Sequence, residues 1–375
     1  MKIIGIICEY NPLHRGHEKQ IRYLKQEYPG CAVVCLMSGN FVQRGMPAIV
    51  DKSVRAEAAL LSGADLVLEL PVTYALSSAE GFAAGGVKIL SGFCDSLCFG
   101  SETGDQDSLV ATAKALLSDD FPERLRAELQ KGLSFPAARQ AALGNLGAVL
   151  EKPNDILAVE YCKAILAQKS AMEPLPILRQ GDYHGEDADY VNPSATAVRK
   201  RMLSNRDWAE FVPHPQVYES AALHTLAAGE KAILYRLRTM TDEEFEALPY
   251  GSEGLWRKFM HACREQTDLE SILTATKSKR YTRTRLDRMA ICAFLGISRD
   301  MLEAPAPYCR VLALNDTGRT VLKKARQQGH FPNIGEKLDH PYQALEHRAD
   351  SLYGLFADPI EPPDTASTRR ILYRN

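Results

Sequence analysis

Residues 2–17 read KIIGIICEYNPLHRGH and join a short apolar run to a polar turn that holds two histidines. The apolar run ends at Cys8, as expected of a strand that is buried on both faces of a parallel sheet. From His14 onward the apolar residues recur at helical spacing. The stretch therefore predicts a strand that gives way to a helix, with His14 and His17 at the junction.

The same alternation continues over the first hundred residues. Three more apolar runs predict buried strands, at 31–39, 64–70 and 94–100. Two amphipathic stretches between them predict helices, at 51–63 and 77–92. Strands and helices in this order predict right-handed βαβ units and a parallel sheet, to which a later run, 174–179, is expected to return.

Beyond residue 203 the pattern is mostly helical, and it is clearest at 223–240, 253–276 and 287–297. Few stretches there favour strands. The segment 206–220, which holds two prolines, favours a linker. We therefore expect an α/β protein, with a Rossmann-like parallel-sheet domain over residues 1–203 and a mainly α-helical C-terminal domain over residues 204–375.

The composition is that of a soluble globular protein. The chain has 375 residues, of which 45% are apolar and 25% charged, and a formal net charge of −2. Two domains are expected at roughly 100–200 residues each. The apolar runs fall short of the ~20 residues of a membrane-spanning helix, and Glu9 interrupts the first run where a signal peptide would continue.

Charges and cysteines narrow the class of protein further. Residues 1–200 carry 20 basic and 24 acidic side chains, whereas residues 201–375 carry 25 and 23, so a polyanionic partner would meet the second half first. The nine cysteines include no CxxC pair. Cys94 and Cys98 have no matching His or Cys pair at zinc-site spacing. We expect reduced thiols in a cytoplasmic protein that does not associate with a membrane.

Two histidines at the start of a helix are suited to binding phosphate. Backbone N–H groups and the positive end of the helix dipole favour an anion there, and Gly16 allows close approach because it has no Cβ. His14 and His17 can each donate a ring N–H to one phosphoryl group. During nucleotidyl transfer the α-phosphate accumulates negative charge, so donors that bind this state more tightly lower the barrier. We predict that this pair is catalytic.

A metal site is the main chemical alternative for the same pair. HxxH spacing supplies only two ligands, and the sequence places no carboxylate or third histidine to complete the set. We therefore predict no metal held by protein ligands.

Longer motifs connect this sequence with a known family. The HxGH motif after the first strand is similar to that of the nucleotidyltransferase superfamily, which includes class I aminoacyl-tRNA synthetases. The string GIICEYNPLHRGH resembles the bacterial tRNA(Met) cytidine acetate ligases. The resemblance extends over the first 200 residues through SGNFVQRGMPAIVDK (38–52), CFGSE (98–102), KPNDILAVEY (152–161), ILRQGDYH (177–184) and SATAVRKRM (194–202). Leu13, Arg15 and Gln20 depart from the family pattern of Phe, Asn and His, so contacts of those side chains are not inferred from it.

The resemblance implies a catalytic nucleotidyltransferase domain, a tRNA-binding helical half and a reaction in two steps. Acetate attacks the α-phosphate of ATP and gives acetyl-adenylate and pyrophosphate. The N4 amine of the wobble cytidine, C34 of elongator tRNA(Met), then attacks the acetyl carbonyl and releases AMP, which leaves N4-acetylcytidine. That base lies in a single-stranded loop, where it can be turned out and read. Mg²⁺ is expected with ATP, and no obligate protein partner is inferred.

The resemblance also implies which residues bind ATP. They are Ile7, Cys8, Glu9, Tyr10, Asn11, Pro12, Leu13, His14, Arg15, Gly16, His17, Glu18, Lys19, Gln20, Gly100, Asn154 and Arg179. Three of them have ordinary alternatives. Gly100 could be a turn glycine, Asn154 a helix cap and Arg179 a surface salt bridge.

Two further groups of residues suggest binding roles. The superfamily's S-x-T-x-x-R motif, which binds the departing pyrophosphate, is matched by Ser194, Thr196 and Arg199, with a chance match as the alternative. Polar residues after the second predicted strand suit substrate binding, with a hydrogen-bonded loop as the alternative. They are Asn40, Gln43 and Arg44.

One basic segment of the second half is the predicted RNA surface. Residues 277–288 hold six basic side chains and one acidic side chain, and Tyr281 among them can stack on a base. The predicted tRNA-binding residues are Lys277, Lys279, Arg280, Tyr281, Arg283 and Arg285. A solvated helix face is the alternative, and Lys323, Lys324 and Arg326 form a weaker second RNA-binding candidate.

Two other functions stay open at this point. A small-molecule adenylyltransferase would share the HxGH motif but would not need a basic helical half. An RNA-binding protein with an inert nucleotide site is the other possibility, and the intact set of His14, Gly16 and His17 argues against it.

Overall fold

The computed structural model describes residues 1–179, 193–278, 280–328, 340–363 and 371–374. Within these ranges the strands are β1 (Ile3–Cys8), β2 (Ala32–Ser38), β3 (Phe41–Val42), β4 (Met46–Pro47), β5 (Leu66–Leu70), β6 (Ser96–Ser101), β7 (Glu173–Leu178), β8 (Arg310–Leu314) and β9 (Leu372–Tyr373).

The helices of the first half are α1 (Arg15–Glu27), α2 (Lys52–Leu61), α3 (Val72–Ala75), α4 (Ala79–Leu90), α5 (Gln106–Leu116), α6 (Phe121–Gln130), α7 (Phe135–Ala142), α8 (Pro153–Ala167) and α9 (Ala195–Leu203). Those of the second half are α10 (Leu226–Thr239), α11 (Asp242–Glu246), α12 (Leu255–Glu265), α13 (Leu269–Thr276), α14 (Arg283–Leu295), α15 (Arg299–Glu303), α16 (Asp316–Gln328) and α17 (Tyr342–Tyr353). Short 3-10 turns lie at Gly144–Glu151, Ala209–Phe211, Pro215–Val217 and Gly354–Phe356.

A mostly parallel sheet forms the centre of the molecule, in the order β7-β6-β1-β2-β5-β8-β9. β1 pairs with β2 so that Ile3 lies opposite Ala32 and Cys8 opposite Met37. Every residue of β2 and β5 is buried. Burial on both faces explains why these strands are nearly continuous apolar runs in the sequence. The predicted strands of the first half and the α/β fold class are confirmed.

The strand order reverses next to β1. The chain runs from β1 to β2 and β5 on one side and then crosses to β6 and β7 on the other. The carboxyl ends of β1 and β6 therefore border a crevice, and open α/β sheets bind ligands at such a switch point. This topology brings the turn after β1 close to the last residues of β6.

The helix boundaries follow local capping chemistry. The Asp51 carboxylate accepts a hydrogen bond of 2.7 Å from the backbone N–H of Ser53 at the start of α2. Gly63, with a φ of 106°, follows the end of that helix. In the second half, the predicted stretch 253–276 is two helices, α12 and α13, because Asp268 caps α13 through the backbone N–H of Ser271.

The three largest apolar clusters pack around these elements. One lies between the sheet and α4, α5 and α8, and a second lies on the opposite face, against α1 and α2. A third holds together α10, α12, α13, α14 and α17, and it also takes in Phe41, Val72 and Leu76 from the first half. The two halves of the chain therefore share apolar contacts, and the proposed boundary at residue 203 stays a prediction.

The second half also contributes strands to the sheet, contrary to the expectation of helices there. β8 pairs antiparallel with β5, and β9 pairs with β8. A five-residue apolar run such as RVLAL cannot be assigned to a strand by periodicity alone, because a buried helix segment has the same pattern. The segment predicted as a linker, 206–220, packs against the fold through Phe211 and Tyr218, which are buried.

No helix in the described ranges combines the length and the apolar character needed to cross a bilayer. All nine cysteines lie in those ranges, and each is a free thiol.

Candidate active site

A cavity of about 560 Å³ lies at the carboxyl edge of the sheet, beside the ends of β1 and β6. The turn after β1 forms one wall with His14 and His17. The first residues of α9 and the end of β7 form others. The volume is within the range of small-molecule and cofactor sites.

His14 and His17 are held by the start of α1. His14 is the N-cap residue, and its Nδ1 accepts a hydrogen bond of 3.1 Å from the backbone N–H of Gly16. The Nδ1 of His17 accepts one of 3.3 Å from the backbone N–H of His14. Because each Nδ1 is an acceptor, the proton of each neutral ring is on Nε2. Each ring therefore has an Nε2–H group to donate.

The environment keeps both rings neutral. Burial, together with the charges of Arg179 and Arg199, lowers the pKa of His14 to about 3. Burial, His14 and Arg179 lower the pKa of His17 well below its usual value. A neutral imidazole can donate a hydrogen bond to a phosphate oxygen, but it has no proton to give up near pH 7. Two neutral rings of this kind can stabilise negative charge but cannot act as general acids.

Tyr10 fixes the turn that carries the histidines. It is almost fully buried, and its ring centroid lies 5.0 Å from that of His17. Its φ of 46° is in the left-handed region, which is costly for a bulky side chain. Such backbone conformations occur mainly where the surrounding structure enforces them, often at functional sites.

The S-x-T-x-x-R residues organise the start of α9. Ser194 caps the helix through a hydrogen bond of 3.1 Å from the backbone N–H of Ala197. Arg199 donates to the carbonyl of Asn11 at 2.6 Å and to Oγ1 of Thr196 at 3.1 Å. The arginine thus ties the histidine turn to the N-terminus of α9, where the helix dipole favours an anion.

Arg179 crosses directly over Gly100. A Cβ placed on Gly100 would lie 2.8 Å from Cδ of Arg179, which is closer than real Cβ contacts allow. The guanidinium donates to Oδ1 of Asn154 at 3.1 Å. Gly100 therefore provides the space in which Arg179 lies across the end of β6.

Comparison with known proteins agrees with this geometry. A family model described as HIGH Nucleotidyl Transferase matches residues 1–367. A relative from Clostridium novyi (strain NT), named tRNA(Met) cytidine acetate ligase, is 38% identical over 357 residues, which cover 88% of this chain and 89% of the relative. The chain belongs to the tRNA(Met) cytidine acetate ligase family. The resemblance found in the sequence is confirmed.

Other members of the ligase family match over similar lengths. A tRNA(Met) cytidine acetate ligase from Acetivibrio thermocellus is 35% identical and covers 89% of this chain and 88% of the relative. A crystal structure of Thermotoga maritima TmcAL (apo, form I) superposes with a TM-score of 0.90 at 30% identity, covering 100% of this chain and 99% of that one. A second crystal form of that protein is bound with alpha-thio ATP and superposes with a TM-score of 0.88.

The structure brings most of the sequence-predicted site residues of this family to one cavity. Those that line it are Ile7, Cys8, Glu9, Tyr10, Asn11, His14, Gly16, His17, Lys19, Gln20, Gln43, Arg44, Gly100, Asn154, Arg179, Ser194, Thr196 and Arg199. They come from six separate segments, which only the tertiary structure brings together. Their binding roles stay predictions.

Four residues of the predicted ATP-binding stretch do not line the cavity. Pro12 and Leu13 are buried under the turn, and the Leu13 carbonyl accepts a hydrogen bond from Tyr218. Arg15 is exposed and donates to the carbonyl of Glu210. Glu18 is buried and pairs with Arg22 at 2.6 Å. On a helix, successive side chains point in different directions, so a contiguous stretch cannot face one ligand throughout.

Asn154 does not cap α8, so that alternative is wrong. The N-cap residue is Lys152, and Asn154 lies one residue inside the helix start. Glu102 takes the capping role, since its carboxylate accepts from the backbone N–H groups of Asn154 and Asp155 at 3.2 and 2.8 Å. The side-chain N–H of Asn154 donates to Glu102 at 2.6 Å, and its Oδ1 accepts a hydrogen bond from Arg179. It therefore links the helix to the cavity.

Asn40 lies outside the cavity, in a buried network of charges. Its amide contacts the backbone N–H of Lys52 at 2.9 Å and the Asp350 carboxylate at 3.2 Å. Lys52 is buried and pairs with Asp350 at 2.6 Å and with Glu69 at 2.9 Å. Arg310 joins the same carboxylates from β8 at 2.8 and 3.0 Å. For Asn40, the hydrogen-bonded loop is therefore the better interpretation.

Sequence reasoning missed the apolar wall of the cavity. It is formed by Val42, Met46, Ala79, Phe82, Phe99, Ile156, Leu157, Tyr161 and Ile177. Most of them lie within the family motifs, but an apolar side chain there has the same pattern as an ordinary core residue, so its contact with the cavity could not be predicted. The wall suits a flat base or a methyl group.

Most of the arginines in the predicted RNA surface are held by other parts of the chain. Arg283 forms two bonds of 2.7 Å with Glu270, and Arg285 donates to the carbonyl of Tyr250 at 2.7 Å. Arg280 pairs with Glu253 at 2.9 Å, and both side chains are exposed. Lys277 is also exposed. Lys279 lies outside the described residues.

Among the residues that the structure describes, no group of three or more His, Cys, Asp or Glu side chains could hold a metal ion.

Proposed function

We propose that this protein activates acetate with ATP and transfers the acetyl group to the N4 amine of C34 in elongator tRNA(Met). The first step gives acetyl-adenylate and pyrophosphate, and the second gives N4-acetylcytidine and AMP. ATP reaches the enzyme with Mg²⁺, which is part of the substrate in this scheme. The reaction takes place in the cytoplasm, where its tRNA and ATP are available.

The observation that carries the proposal is the paired neutral histidines in a cavity with Arg179 and Arg199. The Nε2–H groups of His14 and His17 would bond to the oxygens of the α-phosphate as it becomes five-coordinate. Each such donor is typically worth about 3–4 kcal/mol of the barrier. The two arginines and the α9 N-terminus would bind the departing pyrophosphate.

The comparisons support the choice of substrates. The family relatives are named for tRNA(Met), cytidine and acetate, and the Thermotoga maritima protein was crystallised with an ATP analogue. The loop that holds Gln43 and Arg44 borders both the cavity and α14, since a Cβ on Gly45 would lie 2.4 Å from the backbone nitrogen of Arg288. The last residue of the basic segment, Arg288, therefore lies near one side of the cavity, which agrees with a tRNA-binding role for the segment.

One incubation tests the proposal. The protein is mixed with ATP, acetate and tRNA, and AMP release and acetylated cytidine in digested tRNA are measured. We expect both to depend on acetate, and acetylcytidine to depend on elongator tRNA(Met). AMP release that depends on neither acetate nor tRNA would overturn the proposal and favour a small-molecule adenylyltransferase. No ATP turnover with any acceptor would favour an RNA-binding protein with an inert site.

A further inference from the structure

The second step of the proposed reaction needs a group that accepts a proton. The attacking amine becomes positively charged as its nitrogen bonds to the acetyl carbon, and it must lose a proton for the amide to form. A positioned base speeds such a step by about 10²–10⁴-fold. The cavity must therefore supply an acceptor near the acetyl group.

Among the described residues that line the cavity, Glu9 is the only one with a carboxylate. Each histidine uses Nδ1 to accept a backbone N–H and presents only a donor. Burial raises the pKa of the Cys8 thiol and the Tyr161 phenol, so both stay protonated. The lysine and arginine side chains are cationic donors. Glu9 is thus the side chain of this set that can take up a proton.

The backbone holds Glu9 firmly on both sides. It follows β1 directly, and its carbonyl accepts a hydrogen bond of 2.7 Å from Arg55, which is fully buried. Its Oε1 accepts one of 2.7 Å from the backbone N–H of Gln43. The side chain is partly exposed to the cavity, so the carboxylate has room for a further partner.

The Glu9 carboxylate is anchored to a loop that contributes none of the phosphate-binding groups. The histidines come from the turn after Glu9, and the arginines come from β7 and α9. The Glu9 carboxylate is instead bonded to the loop of Gln43, whose carbonyl accepts from Arg288 of α14 at 3.4 Å. It therefore lies on the side of the cavity that faces the helical half and the predicted RNA surface.

We propose that Glu9 is the general base of the acetyl-transfer step, an inference that rests on the proposed function. The N4 nitrogen forms a bond to the acetyl carbonyl carbon, and the bond from that carbon to the phosphate oxygen of AMP breaks. AMP leaves with the electron pair of that bond. One proton of the amine passes to the Glu9 carboxylate and from there to water.

The electrostatics of the site agree with this role. Burial raises the pKa of Glu9, while the Gln43 N–H and the charges of Arg199, Arg44 and Arg55 act against the rise. A carboxylate with a raised pKa is a stronger base than an ordinary glutamate.

The test separates the two chemical steps in Glu9→Gln. This amide keeps an oxygen to accept from Gln43 but cannot take a proton. Acetate-dependent ATP–pyrophosphate exchange measures the first step, and acetylation of tRNA measures the second. We expect acetylation to fall about 100-fold or more while exchange falls only a few-fold. Acetyl-adenylate trapped with hydroxylamine should still form acetohydroxamate, since this small nucleophile does not need a protein base.

Glu27→Gln is the matched control, because Glu27 is exposed near the end of α1 and the variant removes the same charge. It should behave as the wild type in both assays. Equal losses of exchange and acetylation in Glu9→Gln would overturn the proposal and place Glu9 at ATP or its Mg²⁺. Undiminished acetylation would also overturn it. Failure of the proposed function itself is distinguishable, since the wild type would then show no acetate-dependent exchange.

Discussion

The imidazole rings of His14 and His17 lie face to face, with centroids 3.7 Å apart and planes inclined by 20°. Two charged imidazolium rings at this separation would repel each other strongly in a buried site. The stacking is therefore compatible only with at least one neutral ring, and burial keeps both neutral. Both Nε2–H groups can then serve one phosphoryl group without titrating.

His17→Ala removes one of these two donors. We expect acetate-dependent ATP–pyrophosphate exchange to fall about 100-fold or more, because one positioned donor at an oxyanion is worth about 3–4 kcal/mol. The affinity for tRNA, measured by filter binding, should not change. His261→Ala, at an exposed position on α12, is the control. An exchange rate equal to that of the wild type would show that His17 does not stabilise the transition state.

The pH dependence should show no histidine in the usual range. Because the pKa of His14 is about 3, a plot of the wild-type exchange rate against pH should show no inflection near pH 6.5, the pKa of an ordinary histidine. Between about pH 6.5 and pH 3 the unfolded chain binds a proton at His14 and the folded chain does not. The fold should therefore lose about 1.4 kcal/mol per pH unit from this residue as the pH falls, and His14→Gln should reduce that slope in denaturation curves. An equal slope in the two proteins would contradict the assignment.

Gly100→Ala should act through Arg179. The new Cβ would displace a flexible arginine, so the midpoint of thermal unfolding should change little while KM for ATP rises about tenfold, the loss of one charged hydrogen bond. Arg179→Ala should have a similar effect. The double variant should be no worse than Arg179→Ala alone, because both changes remove the same contact. If the effects of the two substitutions on KM were additive, Gly100 would contact the nucleotide directly.

The exposed end of the basic segment is the place to test RNA binding. Lys277→Gln with Arg280→Gln leaves the hydrogen bonds from Arg285 to Tyr250 in place. We expect weaker tRNA binding and a slope of log affinity against log salt that is smaller by about 1–2. Exchange without tRNA should not change. Arg264→Gln, an exposed arginine on α12, is the control, and an unchanged salt slope in the double variant would show that tRNA binds elsewhere.

The buried charges around Lys52 should be essential for stability. Lys52→Met leaves Asp350 and Glu69 without one of their cations, so the free energy of unfolding should fall by about 3–5 kcal/mol in urea. Asp242→Asn breaks an exposed pair with Arg264 and should cost less than about 1 kcal/mol. A loss below 1 kcal/mol in Lys52→Met would mean that Arg310 alone can balance the buried carboxylates.

The elements around the site were predictable where their signals are local. The unbroken apolar run of β2 reflects burial on both faces, and Asp51 marks the start of α2 through its own side chain. The two histidines stand next to each other on one helix turn, so their juxtaposition needs no distant contact. The strand β8 gave no such signal, because its five residues acquire their pairing only from β5.

Within the site, too, contacts between residues that are distant in the sequence could not be predicted. Gly100 and Arg179 were named as separate ATP contacts, and their direct packing becomes visible only when β6 and β7 pair. Asn40 and Lys52 belong to a motif of the family, yet they bond to Asp350 near the other end of the chain.

The pattern of residues close together in the sequence thus determined the first strands and helices, the histidine turn and the family. The tertiary structure decided which polar residues reach the cavity, which arginines are already paired and how Glu9 faces the helical half. The physical reason is distance in the sequence. Hydrogen bonds within one helix turn join neighbours, whereas Lys52 and Asp350 are 298 positions apart and meet only when the sheet has formed.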